Sequence, residues 1–290
     1  MDASSRAALV QARERLEELS RPASGLLERA RDRVTGHPRA VSDDELFALA
    51  EELFAVSRLL EDQVALRRAL SDPSGTPADR AGLARRVLDG KVSGATLDLV
   101  ETVARQRWSR PLDLVEATET LATDAALDAA AERGELDGVE DDLFRFGRIV
   151  GGDPDLSRVL GDRTAPAAGK TALLEQLLAG RVSPVTALLL RTHLTSRYAG
   201  NAENVIERLS EVASGRRGQS VARVTTAIAL TPQQERRLTD VLSRLYGRAI
   251  GLQVTVDPSV LGGLVIRVGD EVVDGSVAHR LEAAGRRLVG

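Results

Sequence analysis

Gly90-Lys91-Val92-Ser93 and Gly180-Arg181-Val182-Ser183 repeat one another, and they close a much longer correspondence. Residues 46–100 align with residues 136–190 at a constant offset and without a gap. Leu53-Phe54 meets Leu143-Phe144, Arg58 meets Arg148, Leu66 meets Leu156, Leu70 meets Leu160, Asp72 meets Asp162 and Leu83 meets Leu173. About 16 of 55 aligned positions are identical, several times the chance rate. Any two leucine-rich amphipathic helices share leucines, but not Gly, Ser, Arg and Asp in the same register. A repeat of about 90 residues is too long for a solenoid unit. The sequence therefore predicts one helical domain present twice.

Local patterns supply the helices. Leu9, Ala12, Leu16 and Leu19 recur at three- and four-residue spacing, which predicts an amphipathic opening helix ending near Pro22. After Gly36-His37-Pro38, the run Ser42-Asp43-Asp44-Glu45 has the form of a capping box with acidic residues in the first turn. One long helix is expected from there, its stripe formed by Leu46, Leu49, Leu53, Val56, Leu60 and Val64 and ended by Asp72-Pro73-Ser74-Gly75. Shorter helices should follow up to Gly90 and from Ser93.

Beyond Gly215-Arg216-Arg217-Gly218 the period changes to two. Val221, Arg223, Thr225 and Ala227 alternate as a strand. Thr231-Pro232-Gln233-Gln234 caps and opens a helix to about Gly247, and Leu252, Val254 and Val256 alternate again. Leu264–Val268 and Glu271–Val273 flank Gly269-Asp270, a hairpin turn, and Ser276 caps a final amphipathic helix. The predicted fold is mainly α with a small α/β C-terminal domain: two duplicated helical bundles, then strand, helix, strand, hairpin and helix.

Composition narrows the function classes. The 290 residues are 43% hydrophobic and 28% charged with only 2% aromatic, a helix-favouring balance long enough for two or three domains. The absence of cysteine removes disulfides, thiolate metal sites and cysteine nucleophiles, and a cytoplasmic setting fits best. A formal charge of −4 denies the chain the global positive field of nucleic-acid binders. The start Met-Asp-Ala-Ser-Ser-Arg has no apolar signal stretch, and no window approaches the 18 apolar residues of a membrane span. Membrane association is expected only through a partner.

Candidate chemistry is sparse. Gly169-Lys170-Thr171 before an apolar helix looks like the end of a phosphate-binding loop. That pattern needs glycine at position 164, where Thr164 stands, and the first copy carries Asp79-Arg80-Ala81 at the same place. A surface lysine near a helix start is the expectation. His37, His193 and His279 have no metal or catalytic spacing; His193 is expected to be a satisfied side chain. Asp137, Glu140, Asp141 and Asp142 lack an EF-hand arrangement and are expected to form a solvated helix start. Trp108, the only tryptophan, is expected to lie partly buried between helices. Gly262-Gly263, Gly269 and Asp274-Gly275-Ser276 are read as turns, not as a dinucleotide loop. No catalytic residue, cofactor or metal is expected.

The tail carries a resemblance. Val256-Asp257-Pro258-Ser259-Val260-Leu261-Gly262-Gly263, Arg267-Val268-Gly269-Asp270 and Asp274-Gly275-Ser276 resemble the signature of ATP synthase delta subunits, whose mitochondrial relative is the oligomycin-sensitivity-conferring protein. The resemblance extends back to about residue 118 and includes Val224-Thr225-Thr226-Ala227 and Gly180-Arg181-Val182-Ser183-Pro184. It implies a non-catalytic stator subunit on the cytoplasmic face of the cell membrane. In that family a helical bundle binds the N-terminal helices of the alpha subunits, and the C-terminal domain meets the C-terminal region of the peripheral-stalk b subunit. It also implies three domains: an extra N-terminal bundle at 1–117, a delta-type bundle at 118–216 and an α/β domain at 217–290. The extra bundle resembles long actinobacterial delta subunits, and the family's usual Arg-Tyr-Ala opening is replaced by Ala117-Thr118-Glu119-Thr120. Asp257, Pro258, Gly262, Gly263, Gly269, Asp274, Gly275 and Ser276 are expected as structural turns, and Leu264, Ile266 and Leu281 as candidate b-facing contacts. The rival classes are a cytosolic helical adaptor, which leaves the Asp-Pro to Asp-Gly-Ser signature unexplained, and an ATP-handling enzyme built on Lys170. A nucleic-acid adaptor using the arginines beside Trp108 is opposed by the net charge.

Overall fold

The computed structural model describes residues 1–20, 42–219, 221–246, 250–257, 263–268 and 271–274. It is mainly α with a small α/β part, and it divides into two compact units, Met1–Glu211 and Val212–Gly290. The expected helix end near Pro22, the Gly36-His37-Pro38 break, the Gly269-Asp270 turn and the Ser276-capped helix lie outside the described residues. So do Pro258, Gly262, Gly275, His279 and Leu281.

In the first unit, α1 (Ala3–Ser20) buries Ala8, Ala12, Leu16 and Leu19, the stripe read from spacing, with Leu9 at its edge. Helix α2 (Asp43–Asp62) opens on the expected capping box: Ser42 Oγ accepts from the Glu45 amide at 3.3 Å, and Glu45 Oε2 accepts from the Ser42 amide at 2.7 Å. Two of the four orphan donors at the helix start are thereby satisfied. The stripe then runs Leu46, Leu49, Leu53, Val56 and Leu60, all buried.

The single long helix expected to Asp72 is two helices. Gln63 leaves helical geometry (φ −99, ψ 79), and α3 (Val64–Ser71) starts afresh. Arg67 explains how the break is tolerated, because its Nη1 donates to the carbonyls of Leu60 at 2.9 Å and Glu61 at 3.1 Å, the groups a continuing helix would have bonded. Val64, expected on the stripe, is 44% exposed because the break rotates it outward.

Thr76 then caps α4 (Pro77–Leu88), with proline in the first turn, where its missing N–H costs nothing. Gly90 (φ 69) reverses the chain, and Ser93 caps α5 (Gly94–Arg105). Helix α6 (Pro111–Glu132) is alanine-rich and buried on almost every side from Leu114 to Ala131, a central rod. The second copy follows as α7 (Leu136–Gly152), α8 (Pro154–Gly161), α9 (Ala167–Leu178), α10 (Pro184–Thr195) and α11 (Ala202–Gln219).

The bounds of α8, α9 and α10 are those of α3, α4 and α5 moved by the offset read from sequence. Gly180 (φ 66) repeats the left-handed turn of Gly90. Helix α11 moved back by the same offset falls inside α6. That one helix therefore stands at the end of the first copy and at the start of the second.

The second unit holds β1 (Val221–Thr226), α12 (Pro232–Tyr246), β2 (Gly251–Val256), β3 (Leu264–Val268) and β4 (Glu271–Asp274). The sheet order is β2-β1-β3-β4, with β1 parallel to β2 across the α12 crossover and the other pairs antiparallel. Thr231 and Gln234 form a second capping box at the start of α12. The core is Ala222 and Val224 of β1, Ile266 and Val268 of β3, Leu242 of α12 and Ile250 just before β2, with Leu252 and Val254 of β2 packed partly buried against it.

Candidate interaction surfaces

Each copy is locked by the same polar clasp. Glu52 of α2 accepts from the Ser93 amide at 3.0 Å, from Ser93 Oγ at 2.7 Å and from Thr96 Oγ1. In the second copy Asp142 of α7 accepts from the Ser183 amide at 2.7 Å and from Thr186 Oγ1 at 3.2 Å. A carboxylate from the second helix of the set thus completes the N-terminus of the fifth, where the helix dipole favours negative charge. Asp142 is buried, which corrects the expectation of a wholly solvated acidic start; Asp137 and Asp141 are exposed as expected. The sequence hid this role because Asp142 sits within an acidic run whose exposed members face water.

The two copies meet along α2, α6 and α10. His193 of α10 places Nε2 2.9 Å from Thr123 Oγ1 and Nδ1 3.0 Å from Glu119 Oε1, both on α6, and its ring meets Phe54 of α2 edge-on at 5.7 Å. The expectation of a satisfied histidine holds. Just beyond, Ser196 Oγ donates to Glu61 Oε1 at 2.6 Å and Arg197 pairs with Asp62 at 3.1 Å. Burial pushes the Glu61 carboxyl above its ordinary value, and the nearby Glu119 charge adds to this, against the bonds from Ser196 and Arg197.

The phosphate-loop reading finds no support in the geometry. The amide of Gly169 bonds the Pro166 carbonyl at 3.0 Å, and Thr171 Oγ1 bonds the Ala167 carbonyl at 2.9 Å. Lys170 is not a surface lysine: it is 4% exposed, and its ammonium donates to the Leu160 carbonyl at 2.8 Å. Trp108 is more deeply buried than expected, and its Nε1 donates to the Val103 carbonyl at 3.0 Å. Among the described residues no three His, Asp or Glu side chains gather as a metal site, and no helix is long and apolar enough to cross a membrane.

What remains is a set of packed helices followed in sequence by a small sheet unit, with no assembled chemistry among the described residues. The family model described as ATP synthase delta (OSCP) subunit matches residues 120–288, more than half the chain. The chain is also 45% identical to the ATP synthase subunit delta of Streptomyces griseus over 290 residues, the whole of both chains. The chain belongs to the ATP synthase delta (OSCP) subunit family. It is similar as well to the ATP synthase subunit delta of Parafrankia, at 47% identity over 84% of this chain and 88% of that one. A chain of the Toxoplasma gondii mitochondrial ATP synthase hexamer is similar at 21% identity and a TM-score of 0.31, covering 58% of this chain and 95% of that one.

Of the signature residues, Asp257, Gly263 and Asp274 are among those described, and all three border strands of the sheet unit. The Asp257 amide donates to the Thr226 carbonyl at 2.8 Å, extending the β1–β2 pairing past the strand end. Gly263 has φ 86, a conformation an L side chain rarely adopts, immediately before β3. Asp274 ends β4. Of the candidate b-facing residues, Ile266 lies in the sheet core and Leu264 packs partly buried against it. Their apolar character is accounted for by packing within the unit.

Proposed function

We infer that this delta-family chain acts as the non-catalytic stator subunit of a proton-translocating F-type ATP synthase, a peripheral part of a membrane-associated complex. Full-length identity to a named delta subunit carries the reading. A stator must hold the catalytic head against rotor torque without yielding, and three features suit that task. The α6 rod is common to both helical copies, the Glu52 and Asp142 clasps tie helices within each copy, and the Phe54–His193 and Glu61–Ser196 contacts tie one copy to the other.

The finer assignments belong to the same proposal. Residues 1–117 form the added bundle, 118–216 the delta-type bundle and 217–290 the α/β domain. The helical part grips the N-terminal helices of the alpha subunits, the C-terminal part meets the C-terminal region of the b subunit, and the complex carries the chain on the cytoplasmic face of the membrane. The turns at Asp257, Gly263 and Asp274, together with Pro258, Gly262, Gly269, Gly275 and Ser276, shape the b-facing domain without themselves making contact.

Co-purification of the full chain with the catalytic head and with the C-terminal segment of the b subunit tests this reading. Retention of both is expected. Retention of neither would leave an adaptor whose tail only resembles the family.

A further inference from the structure

The second copy lacks a cation that the first copy holds inside. Arg67 of α3 is buried, and its Nη1 donates to the Leu60 and Glu61 carbonyls at the end of α2, at 2.9 and 3.1 Å. Moved by the offset of the repeat, Arg67 becomes Ser157 of α8, Glu61 becomes Gly151 and Ser71 becomes Gly161. Three side chains are thus shortened or lost around one helix end. Gly151, Ser157 and Gly161 line a groove of about 620 Å³ there, together with Glu203 at the start of α11.

We propose that this groove binds a guanidinium group from outside the chain, in the role that Arg67 fills within the first copy. The acceptors are in place. Helix α7 ends at Gly152, and the Asp153 amide bonds the Val150 carbonyl at 3.3 Å, so the Gly151 carbonyl stands as the counterpart of the Glu61 carbonyl that meets Arg67. Helix C-termini present such carbonyls with partial negative charge. Two carboxylates add to it. Glu203 Oε1 accepts from Ser157 Oγ at 2.9 Å, which holds that carboxylate against the residue standing in place of Arg67. Asp162 also lines the groove, and the Thr164 hydroxyl and amide hold its carboxyl below the ordinary value. Arg158, the basic residue of the lining, already pairs with Asp155 at 2.7 Å, so the groove keeps an excess of negative charge.

The shape of the acceptor set selects guanidinium over ammonium. A planar guanidinium carries donors in a fixed fork and bonds a carboxylate and a carbonyl together, as Arg67 bonds two carbonyls. An ammonium is a compact point charge that holds its water more strongly. A space of this size takes more than the ion alone, so the group arrives on a larger molecule: a free arginine-like compound or an arginine residue of a peptide segment. The site stands independently of the stator reading.

Nuclear magnetic resonance titration of the full-length chain tests the site, with N-acetyl-arginine amide as probe, the matching lysine amide as control and a blocked glycine-arginine-glycine tripeptide as the longer probe. Saturable shifts of the Gly151 and Gly161 amides are expected with the arginine probe, and about tenfold weaker binding with the lysine probe. Ser157→Arg should abolish the shifts, because its own guanidinium fills the groove as Arg67 does. Glu203→Gln, an exposed change that keeps an acceptor for Ser157, should weaken binding about fivefold and decides the matter should Ser157→Arg fail to fold. Tighter binding of the tripeptide would assign the site to an arginine within a chain, and equal binding to a free guanidinium compound. Equal affinity for the arginine and lysine probes would reduce the groove to a patch of negative field and overturn the proposal. No saturation up to about 10 mM, or undiminished binding in a folded variant, would overturn it as well.

Discussion

Arg80 and Lys170 occupy equivalent positions in the two copies, and both bury a cation against the carbonyl end of the fifth helix of the set. Arg80 Nε donates to the Ala104 carbonyl at 2.8 Å, and Lys170 Nζ reaches the equivalent Leu194 carbonyl at 3.4 Å. Helix C-termini leave carbonyls without intrahelical partners and carry partial negative charge, so a buried cation satisfies both needs at once. Arg80 does more, bonding the carbonyls of Asp72, Gly75, Arg105 and Gln106 as well. Burial holds the Lys170 ammonium below its ordinary value.

Replacing Arg80 by Met is therefore expected to cost about 3 kcal/mol or more, and Lys170 by Met about 1–2 kcal/mol, since fewer carbonyls are orphaned. Lys170→Arg should be nearly neutral if the two sites are interchangeable. Urea unfolding followed by circular dichroism checks the order, and Trp108, buried near the Arg80 carbonyl partners, reports the first copy by fluorescence. Equal losses for the two Met variants would refute the unequal bonding.

The phenylalanine pair gives an internally controlled comparison. Phe54→Ala should destabilise the chain by about 3–5 kcal/mol through a cavity at the joint between copies, whereas Phe144→Ala should stay within about 0.5 kcal/mol. The residue type, the helix position and the neighbouring Leu53 and Leu143 are matched. The principal difference at the two rings is the cover that α6 and α10 give Phe54, and chemical denaturation of the two variants compares a covered ring with an uncovered one.

Glu61 makes stability depend on pH in a defined sense. Its carboxyl sits above the ordinary value in the folded chain, so across the window from that ordinary value of 4.5 upward the folded state holds the proton more tightly than the unfolded state. Stability from this group is present at acid pH and is lost as pH rises through the folded value. The groups facing it are Ser196 and Arg197 from beyond α10, Glu119 from α6 and Asp62 from its own helix. Glu61→Gln keeps a hydrogen-bonding partner for Ser196 and removes the buried charge. Its unfolding free energy should match wild type below about pH 4 and exceed it increasingly toward neutrality. Curves for the two proteins that stay parallel from about pH 4 to about pH 7 would contradict the assignment.

These particulars show which features the sequence made legible. Ser42 with Glu45, Thr231 with Gln234, and the Leu46 to Leu60 stripe act within one turn or one face of a helix, so spacing alone revealed them. The repeat was legible because Gly90 and Gly180 make the same left-handed turn and Ser93 and Ser183 cap the helix that follows it. The break at Gln63 escaped because hydrophobic spacing continues across it and the compensating donor, Arg67, is a residue that composition places on the surface. Lys170 and Asp142 were read as surface charges for the same reason: helices distant in sequence contribute to their burial. Phe54 and Phe144 mark the limit, being the same residue in the same motif with opposite exposure, decided by where the neighbouring copy lies.

The paired clasps offer the last comparison. Glu52 is half-buried and Asp142 is buried, yet both accept from a serine amide and a threonine hydroxyl at the start of a fifth helix. Removing the carboxylate takes away the bond each serine amide makes and leaves each threonine hydroxyl only its contact with the cap serine, and water replaces the carboxylate more readily where the site is open. Asp142→Ala should therefore cost about 2 kcal/mol and Glu52→Ala about 1 kcal/mol, although glutamate loses the larger side chain. A double-mutant cycle pairing Asp142→Ala with Thr186→Val should return a coupling of about 1 kcal/mol, the share of the Asp142–Thr186 bond, which is lost with either residue while the Ser183 amide still holds Asp142 in the Thr186 variant. Additive losses would mean that Asp142 acts through the Ser183 amide or through its ion pair with Arg145, and only in the second case would Arg145→Ala reproduce the Asp142→Ala deficit. Because Arg145 is 67% exposed, that exchange is expected to cost less than about 0.5 kcal/mol.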